Sequence, residues 1–284
     1  MIGFIGGSGI YDALPLSEVR KQDYATPYGS PSAPVTIGQF GDTDREVAFL
    51  PRHGPDHSKS PTDLPYRANM YALKRAGVTH VFASNAVGSL REGLPPQSLV
   101  IPDQIYDRTK HRDLSFYGDG IVVHQPFAEP YSPELVSHLT DAARTATEVD
   151  VHQGGTYVCI EGPQYSSQAE SEFYRSQGWD LVGMTTIPEA KLAREAEIAY
   201  ATICGVTDFD VWKQDSEVTL QEVVTNAERN QAAIKATVEE AVRTLPVDHT
   251  CAAHSALEGT INTSRDAISA ETRERVEPLL GEYL

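Results

Sequence analysis

Apolar and polar positions follow two periods along this chain. Short continuous apolar runs mark strands buried on both faces. They occur at Ile2–Ile5, Val47–Leu50, Val78–Ser84, Leu99–Ile101, Thr156–Ile160 and Tyr200–Thr207. Amphipathic stretches lie between them. Thr62 to Arg75 predicts a helix, with Met70 and Leu73 on its apolar side and Gly77 just past its end. Another helix is predicted to begin near Pro188, because the fixed φ of proline suits a first helical position. The strongest pattern runs from Thr219 to Leu245. Thr219 and Glu222 have capping-box spacing, and Val223, Ala227, Ile234, Val238, Val242 and Leu245 recur at helical intervals until Pro246 stops them. Residues 246–268 are polar and weakly patterned, and a short last helix is predicted after Ser269, through Val276 and Leu280. Strands alternating with helices predict an α/β fold. We expect a catalytic domain over residues 1–245 and an acidic, peripheral tail over 246–284.

Composition narrows the class. With 40% hydrophobic and 22% charged residues, the 284-residue chain is neither collagenous, nor a coiled coil, nor a disordered tail. No stretch approaches the roughly 18 apolar residues of a membrane helix, and no basic residue precedes Arg20. A cytoplasmic protein without a membrane partner is therefore expected. Acidic residues number 40 against 23 basic ones, a net −17, and arginine outnumbers lysine 16 to seven. That balance predicts adaptation to high salt, where screening removes self-repulsion; a merely acidic protein is the alternative. It argues against a nucleic-acid partner, which would require phosphate neutralisation. Cys159, Cys204 and Cys251 form no C-x-x-C pair, so neither a zinc knot nor a disulfide scaffold is expected. The signatures of triphosphate hydrolysis, dinucleotide binding, serine esterases and zinc proteases are absent.

Five segments that follow predicted strands could carry chemistry. Gly6-Gly7-Ser8-Gly9 can converge backbone amides and a hydroxyl on an anion, although a tight turn without a ligand fits equally. Pro51-Arg52-His53-Gly54 offers a bidentate phosphate ligand and an imidazole, although an isolated Arg-His pair is more often a surface feature, and His57 four residues on is open to the same two readings. Ser84-Asn85-Ala86-Val87-Gly88-Ser89 reads as a second small-residue turn able to offer amides to an anion, although taken alone a plain strand-to-helix connection fits it better. In the segment from Glu161 to Ser167, Tyr165 could stack on a planar base. Asp208-Phe209-Asp210-Val211-Trp212 sets two acids beside apolar rings, which suits a general acid of raised pKa or a plain salt-bridged pair. Taken together they suit a nucleoside and phosphate.

The stretches IGGSG at 5–9, PYGSPSAPV at 27–35, PRHG at 51–54, YRANMYALK at 66–74, NAVGSL at 85–90, PDQIYDRT at 102–109, GTYVCIEGP at 155–163, GMTTIPEAKLAREAEIAYA at 183–201 and VTDFDVW at 206–212 carry a specific resemblance. The chain resembles the 5′-methylthioadenosine phosphorylases of the trimeric purine nucleoside phosphorylase family. The match covers most of residues 2–245 and stops short of the tail.

The resemblance implies a mixed sheet distorted toward a barrel and flanked by helices, assembled as a homotrimer. It implies phosphorolysis of a nucleoside, with inorganic phosphate as co-substrate and neither metal nor organic cofactor. By motif, Ser8, Arg52, His53, Asn85, Ala86 and Thr185 would bind phosphate. Met184 would lie under the ribose and Tyr165 would face the purine. Ser166, Asp208 and Asp210 would hold the base, with Asp208 as the catalytic acid. Leu220, Val223 and Val224 would line the 5′ pocket, and His124 would reach in from a neighbouring subunit. The implied reaction converts 5′-methylthioadenosine to adenine and 5-methylthioribose 1-phosphate. The alternatives are a broader purine nucleoside phosphorylase, acting on adenosine or 6-oxopurine nucleosides, and a non-catalytic nucleoside or phosphate sensor. Four positions depart from the family pattern: Gln164-Tyr165 where Arg-Phe is common, Gln168 where Arg is common, and Asn85 where Thr or Ser is frequent.

Overall fold

The computed structural model describes residues 1–7, 14–41, 43–213 and 219–284. Its strands are β1 (Ile2–Gly6), β2 (Leu16–Gln22), β3 (Val35–Phe40), β4 (Glu46–Pro51), β5 (His80–Ser89), β6 (Leu99–Ile101), β7 (Gln104–Arg108), β8 (Val151–Gln153), β9 (Thr156–Ile160), β10 (Leu181–Gly183) and β11 (Ala199–Asp208). The helices are α1 (Tyr66–Arg75), α2 (Pro133–Ala146), α3 (Gln168–Ser176), α4 (Thr186–Glu195), α5 (Leu220–Thr244) and α6 (Ala270–Leu280). The six strands expected from apolar runs are β1, β4, β5, β6, β9 and β11. Helix α1 starts later than its pattern suggested, at Tyr66, because Pro61 and Pro65 hold the chain out of the helix until then.

All the strands join one mixed sheet, in the order β2-β3-β4-β1-β5-β10-β9-β7, with β11 pairing β5 and β6, and β6 pairing β8. β5 is the hinge of this arrangement. One edge pairs in parallel with β11 from His80 to Gly88. The other pairs with β1 only as far as Ala83, and then with antiparallel β10 from Gly88. A strand with two successive neighbours on one edge splits the sheet and curls it toward a barrel. The chain from Ser84 to Val87 is left without a strand partner on that edge. These residues therefore continue a strand and do not form the turn expected from their small side chains.

β11 carries a register irregularity between Val206 and Asp208. Two asparagines on α5 compensate for it: Asn226 donates to the Thr207 carbonyl (2.7 Å) and Asn230 to that of Val206 (2.9 Å). α5 begins where its cap was expected, with Thr219 Oγ1 accepting from the Glu222 amide. In α4, Ile187 has extended backbone (φ −110°, ψ 131°), so the regular helix starts at Pro188, as the sequence suggested.

The tail departs from expectation. Leu257, Ile268, Val276, Leu279 and Leu280 are buried in the same apolar cluster as β1, β5 and α1, so residues 246–284 complete the core and are not peripheral. The tail also braces another segment. The His124 amide donates to the Thr260 carbonyl (3.0 Å), and Val123 pairs with Ile261. Among the described residues no helix is long and apolar enough to cross a membrane.

Candidate active site

The open edge of β5 faces a cavity of about 590 Å³, within the usual range for small-molecule sites. The ends of β4, β5, β9, β10 and β11 converge there, as does the first turn of α5. Arg52, His53, Asn85, Ala86, Tyr165, Ser166, Met184, Thr185, Asp208, Asp210, Leu220, Val223 and Val224 all line it. Of the residues the resemblance implicated, two are not among them. Ser8 lies outside the described residues. His124 is exposed on the segment braced by the tail, outside this chain's own cavity.

One end of the cavity is built to donate hydrogen bonds. Arg52, at the end of β4, is fully buried. Its Nε and Nη2 donate to Glu189 at 2.7 and 2.8 Å, and its Nη1 donates to the Ser84 carbonyl at 2.8 Å. Tyr200 Oη donates to the same Glu189 carboxylate (2.7 Å). Burial alone would lower the guanidinium pKa; Glu189 overrides it and raises the value, so Arg52 stays charged. A guanidinium has five N–H bonds, and two remain for a ligand. Strand alternation places the Ala86 amide on the same open edge as the Ser84 carbonyl. Asn85 Nδ2 donates to Thr185 Oγ1 (2.7 Å), which leaves the Thr185 hydroxyl hydrogen free to donate. Gly7 closes against this wall. Its amide donates to Ser84 Oγ (2.9 Å), and a Cβ there would stand 2.4 Å from the Ser84 carbonyl oxygen. His53 stacks on His57, with ring centroids 4.2 Å apart. Burial pushes His53 down to about 4; the Lys59 carbonyl opposes the shift and Arg52 and His57 reinforce it.

The other end holds the acid pair. Burial pushes Asp208 up to about 6. Asp210 and Glu222 act in the same direction, while the Thr207 hydroxyl and the Asp210 amide hold it down. Asp208 Oδ1 accepts from the Asp210 amide (2.8 Å), and Oδ2 lies 2.7 Å from Thr207 Oγ1. Gly88 makes room for this carboxylate, since a Cβ there would stand 2.9 Å from Oδ1. Burial also raises Asp210. The hydroxyls of Ser171 and Ser166 beside Asp210 oppose that rise. Tyr165, 40% exposed, stands at the rim, and Leu220 and Val224 expose apolar surface at the mouth.

Several contributors escaped the sequence reading. Glu189 fixes Arg52, and its signal was the Pro-Glu opening of α4. Arg112 donates to the carbonyls of Glu161 (2.7 Å) and Met184 (2.6 Å), and also to that of Ile187. It thereby ties the loop after β9 to the chain after β10. Its partner Glu161 is held at about 2 despite desolvation, because Thr62, the amides of Lys110 and His111, and Arg112 stabilise the anion. Among the described residues no group of three or more His, Cys, Asp or Glu side chains is arranged to hold a metal ion.

A mixed sheet split around β5 carries, across one cavity, a wall of hydrogen-bond donors facing a buried acid pair. The chain belongs to the phosphorylase superfamily, whose family model matches residues 1–243. Its relatives narrow the class to S-methyl-5′-thioadenosine phosphorylases. That of Koribacter versatilis is 45% identical over 99% of this chain and 96% of its own length. A crystal structure of methylthioadenosine phosphorylase from an antarctic soil metagenomic library superposes with a TM-score of 0.92 at 44% identity, covering 98% of both chains. Methylthioadenosine phosphorylase from Schistosoma mansoni in complex with adenine gives 0.85 at 34% identity, covering 92% of this chain and 98% of that one. The likeness therefore includes the tail, which the sequence motifs did not reach.

Proposed function

We propose that this chain catalyses the reversible phosphorolysis of 5′-methylthioadenosine to adenine and 5-methylthioribose 1-phosphate. The observation that carries the reading is the pairing, across one cavity, of a buried carboxyl whose pKa is raised (Asp208) with a donor wall (Arg52, Ala86, Thr185). The wall holds phosphate below C1′. As the C1′–N9 bond breaks, the anion stabilises positive charge at C1′ and attacks it. The purine gathers negative charge, and protonated Asp208 donates to N7. Its other oxygen accepts from the 6-amino group, which favours adenine over 6-oxopurines. Ser166 Oγ and Asp210 Oδ2 meet the base edge, Tyr165 covers its face, and Met184 lies under the ribose. Leu220, Val223 and Val224 offer apolar surface to the 5′-methylthio group.

The functional unit is a homotrimer in which His124 of one subunit reaches the 5′ end of its neighbour's site. The apolar mouth and the tail-braced segment carrying His124 support this. No metal or organic cofactor takes part, and the enzyme works in the cytoplasm under high salt. A substrate panel tests the reading. Methylthioadenosine, adenosine, inosine and guanosine are each incubated with and without phosphate, and free base is measured. Adenine release from methylthioadenosine at the same rate without phosphate would mean hydrolysis and refute it. Preferential release from inosine would favour the broader purine nucleoside phosphorylase. Light scattering that finds a fully active monomer would overturn the trimer.

A further inference from the structure

The anion end of the cavity has a proton inventory that the simple picture of a cationic phosphate site does not share. Arg52 is the one arginine or lysine among the described lining residues, and Glu189 cancels its charge through two hydrogen bonds. Among the described residues the other titratable groups at this end are His53, which burial pushes down to about 4, and His57, which burial also lowers. His53 Nδ1 lies 2.9 Å from the carbonyl oxygen of Lys59. A carbonyl can only accept, so Nδ1 carries the ring hydrogen, and in the neutral ring Nε2 is then a lone pair. The stacked His57 ring and the adjacent Arg52 disfavour a second proton on this imidazole. The ring nitrogen left for an anion in the cavity is thus an acceptor.

A fully deprotonated anion would oppose its own lone pairs to that nitrogen. An anion with one hydroxyl would complete it. We propose that His53 meets phosphate as a hydrogen-bond acceptor: Nε2 receives the O–H of hydrogen phosphate, so the site selects an anion bearing its own proton over proton-free anions such as sulfate. The inference rests on the phosphorolysis reading above and adds its proton accounting. The two spare N–H bonds of Arg52, the Ala86 amide and the Thr185 hydroxyl serve the three unprotonated oxygens. One of these oxygens bonds to C1′ while the C1′–N9 electron pair leaves with the purine, which takes the Asp208 proton at N7. The new phosphomonoester forms as a monoanion whose O–H stays hydrogen-bonded to His53 Nε2, and it loses that proton to solvent as it leaves. Asp208 then regains a proton from solvent. The net transfer is of one proton from phosphate to adenine, and the enzyme is unchanged.

The test compares three anions at neutral pH by equilibrium binding to the full chain, and as competitors of phosphate in turnover. They are phosphate, sulfate and monofluorophosphate, the last matching the charge of hydrogen phosphate with fluorine in place of its hydroxyl. Sulfate and monofluorophosphate should each bind at least about tenfold more weakly than phosphate, the scale of leaving one buried acceptor unpaired. In His53→Gln, whose amide can donate, the preference should shrink to about threefold or less. Spectra of ¹⁵N-histidine-labelled enzyme with phosphate should show His53 as the Nδ1–H neutral tautomer. Equal affinity of the wild-type chain for all three anions, or a His53 protonated on both nitrogens in the phosphate complex, overturns the proposal. If His53→Gln fails to fold, the wild-type series and the spectra decide alone. Loss of phosphate-dependent adenine release would refute the phosphorolysis reading itself. Intact phosphorolysis with indifferent anion binding would remove only this inference.

Discussion

Replacing Glu189 with glutamine isolates what holds Arg52 in place. Both side chains are almost wholly buried, at 1% and 4% exposure, and they meet through two hydrogen bonds of 2.7 and 2.8 Å. Tyr200 adds a third to the same carboxylate. The substitution keeps the shape but turns an NH2 group toward a guanidinium N–H, and it leaves the Arg52 charge without a partner in a dry interior. Breaking one side of a buried pair costs about 3–5 kcal/mol. For a domain of this size that is a fall in Tm of roughly 6–20 °C. The second consequence has the opposite sign. An anion bound at the donor wall now supplies the missing countercharge, a gain of about 1–2 kcal/mol, or roughly tenfold in phosphate Kd. Calorimetric melting of wild type and Glu189→Gln with and without phosphate reads both effects, because a ligand stabilises the fold in proportion to its occupancy. The variant should melt lower without phosphate and gain more from it. A Tm within about 2 °C of wild type, or an equal phosphate gain in both proteins, would refute the reasoning that Glu189 neutralises Arg52.

Three further outcomes follow from the same geometry. Asp208→Asn should lower kcat on methylthioadenosine by about 10²–10⁴-fold and raise relative activity on inosine. Because the protonated form donates, wild-type kcat/KM should decline as pH rises through about 6, and the variant should lose that limb; an unchanged profile makes Asp208 structural. Gly88→Ala places a Cβ 2.9 Å from Asp208 Oδ1 and 3.0 Å from Val182. It should cut kcat at least tenfold while costing about 1–3 kcal/mol of stability, and full activity would mean that the acid is not held where it is drawn. Screening of a net −17 charge should raise Tm as KCl goes from low to molar concentration, and a flat or falling Tm would dismiss salt adaptation.

Much of the architecture was legible in the chain because its central strands are buried on both faces. Phe4, Val81, Phe82 and Ile203 sit in continuous apolar runs that no exposed segment would carry. The helix α5 announced itself through Thr219, its apolar stripe and Pro246. Edge strands left no such trace. β2 reads Leu-Ser-Glu-Val-Arg-Lys-Gln and is almost wholly exposed, and β7 closes the far edge with Gln-Ile-Tyr-Asp-Arg. Charged edge strands are what keep a sheet from pairing with another molecule, and they look like loops in a sequence. Helix α3 begins at a true capping box, Ser167 with Glu170, in a segment whose interest seemed to lie in Tyr165 and Ser166.

Residue identity and order alone determined the candidate ligands: Arg52, His53, Asn85, Thr185, Asp208 and Asp210 stand in strings specific enough to be recognised, and all six line one cavity. Folding decided their states. Arg52 and Glu189 are 137 positions apart, so no local pattern could reveal that they cancel. The Asp208 pKa near 6 comes from burial beside Asp210 and Glu222. The lone pair on His53 Nε2 follows from one contact with the Lys59 carbonyl. The tail after Leu245 looked peripheral because its apolar residues are sparse, yet Leu257, Val276 and Leu280 close the core against α1 and β5. Desolvation, charge pairing and tautomer choice are properties of what surrounds an atom, and those surroundings arrive from distant parts of the chain only when it is folded.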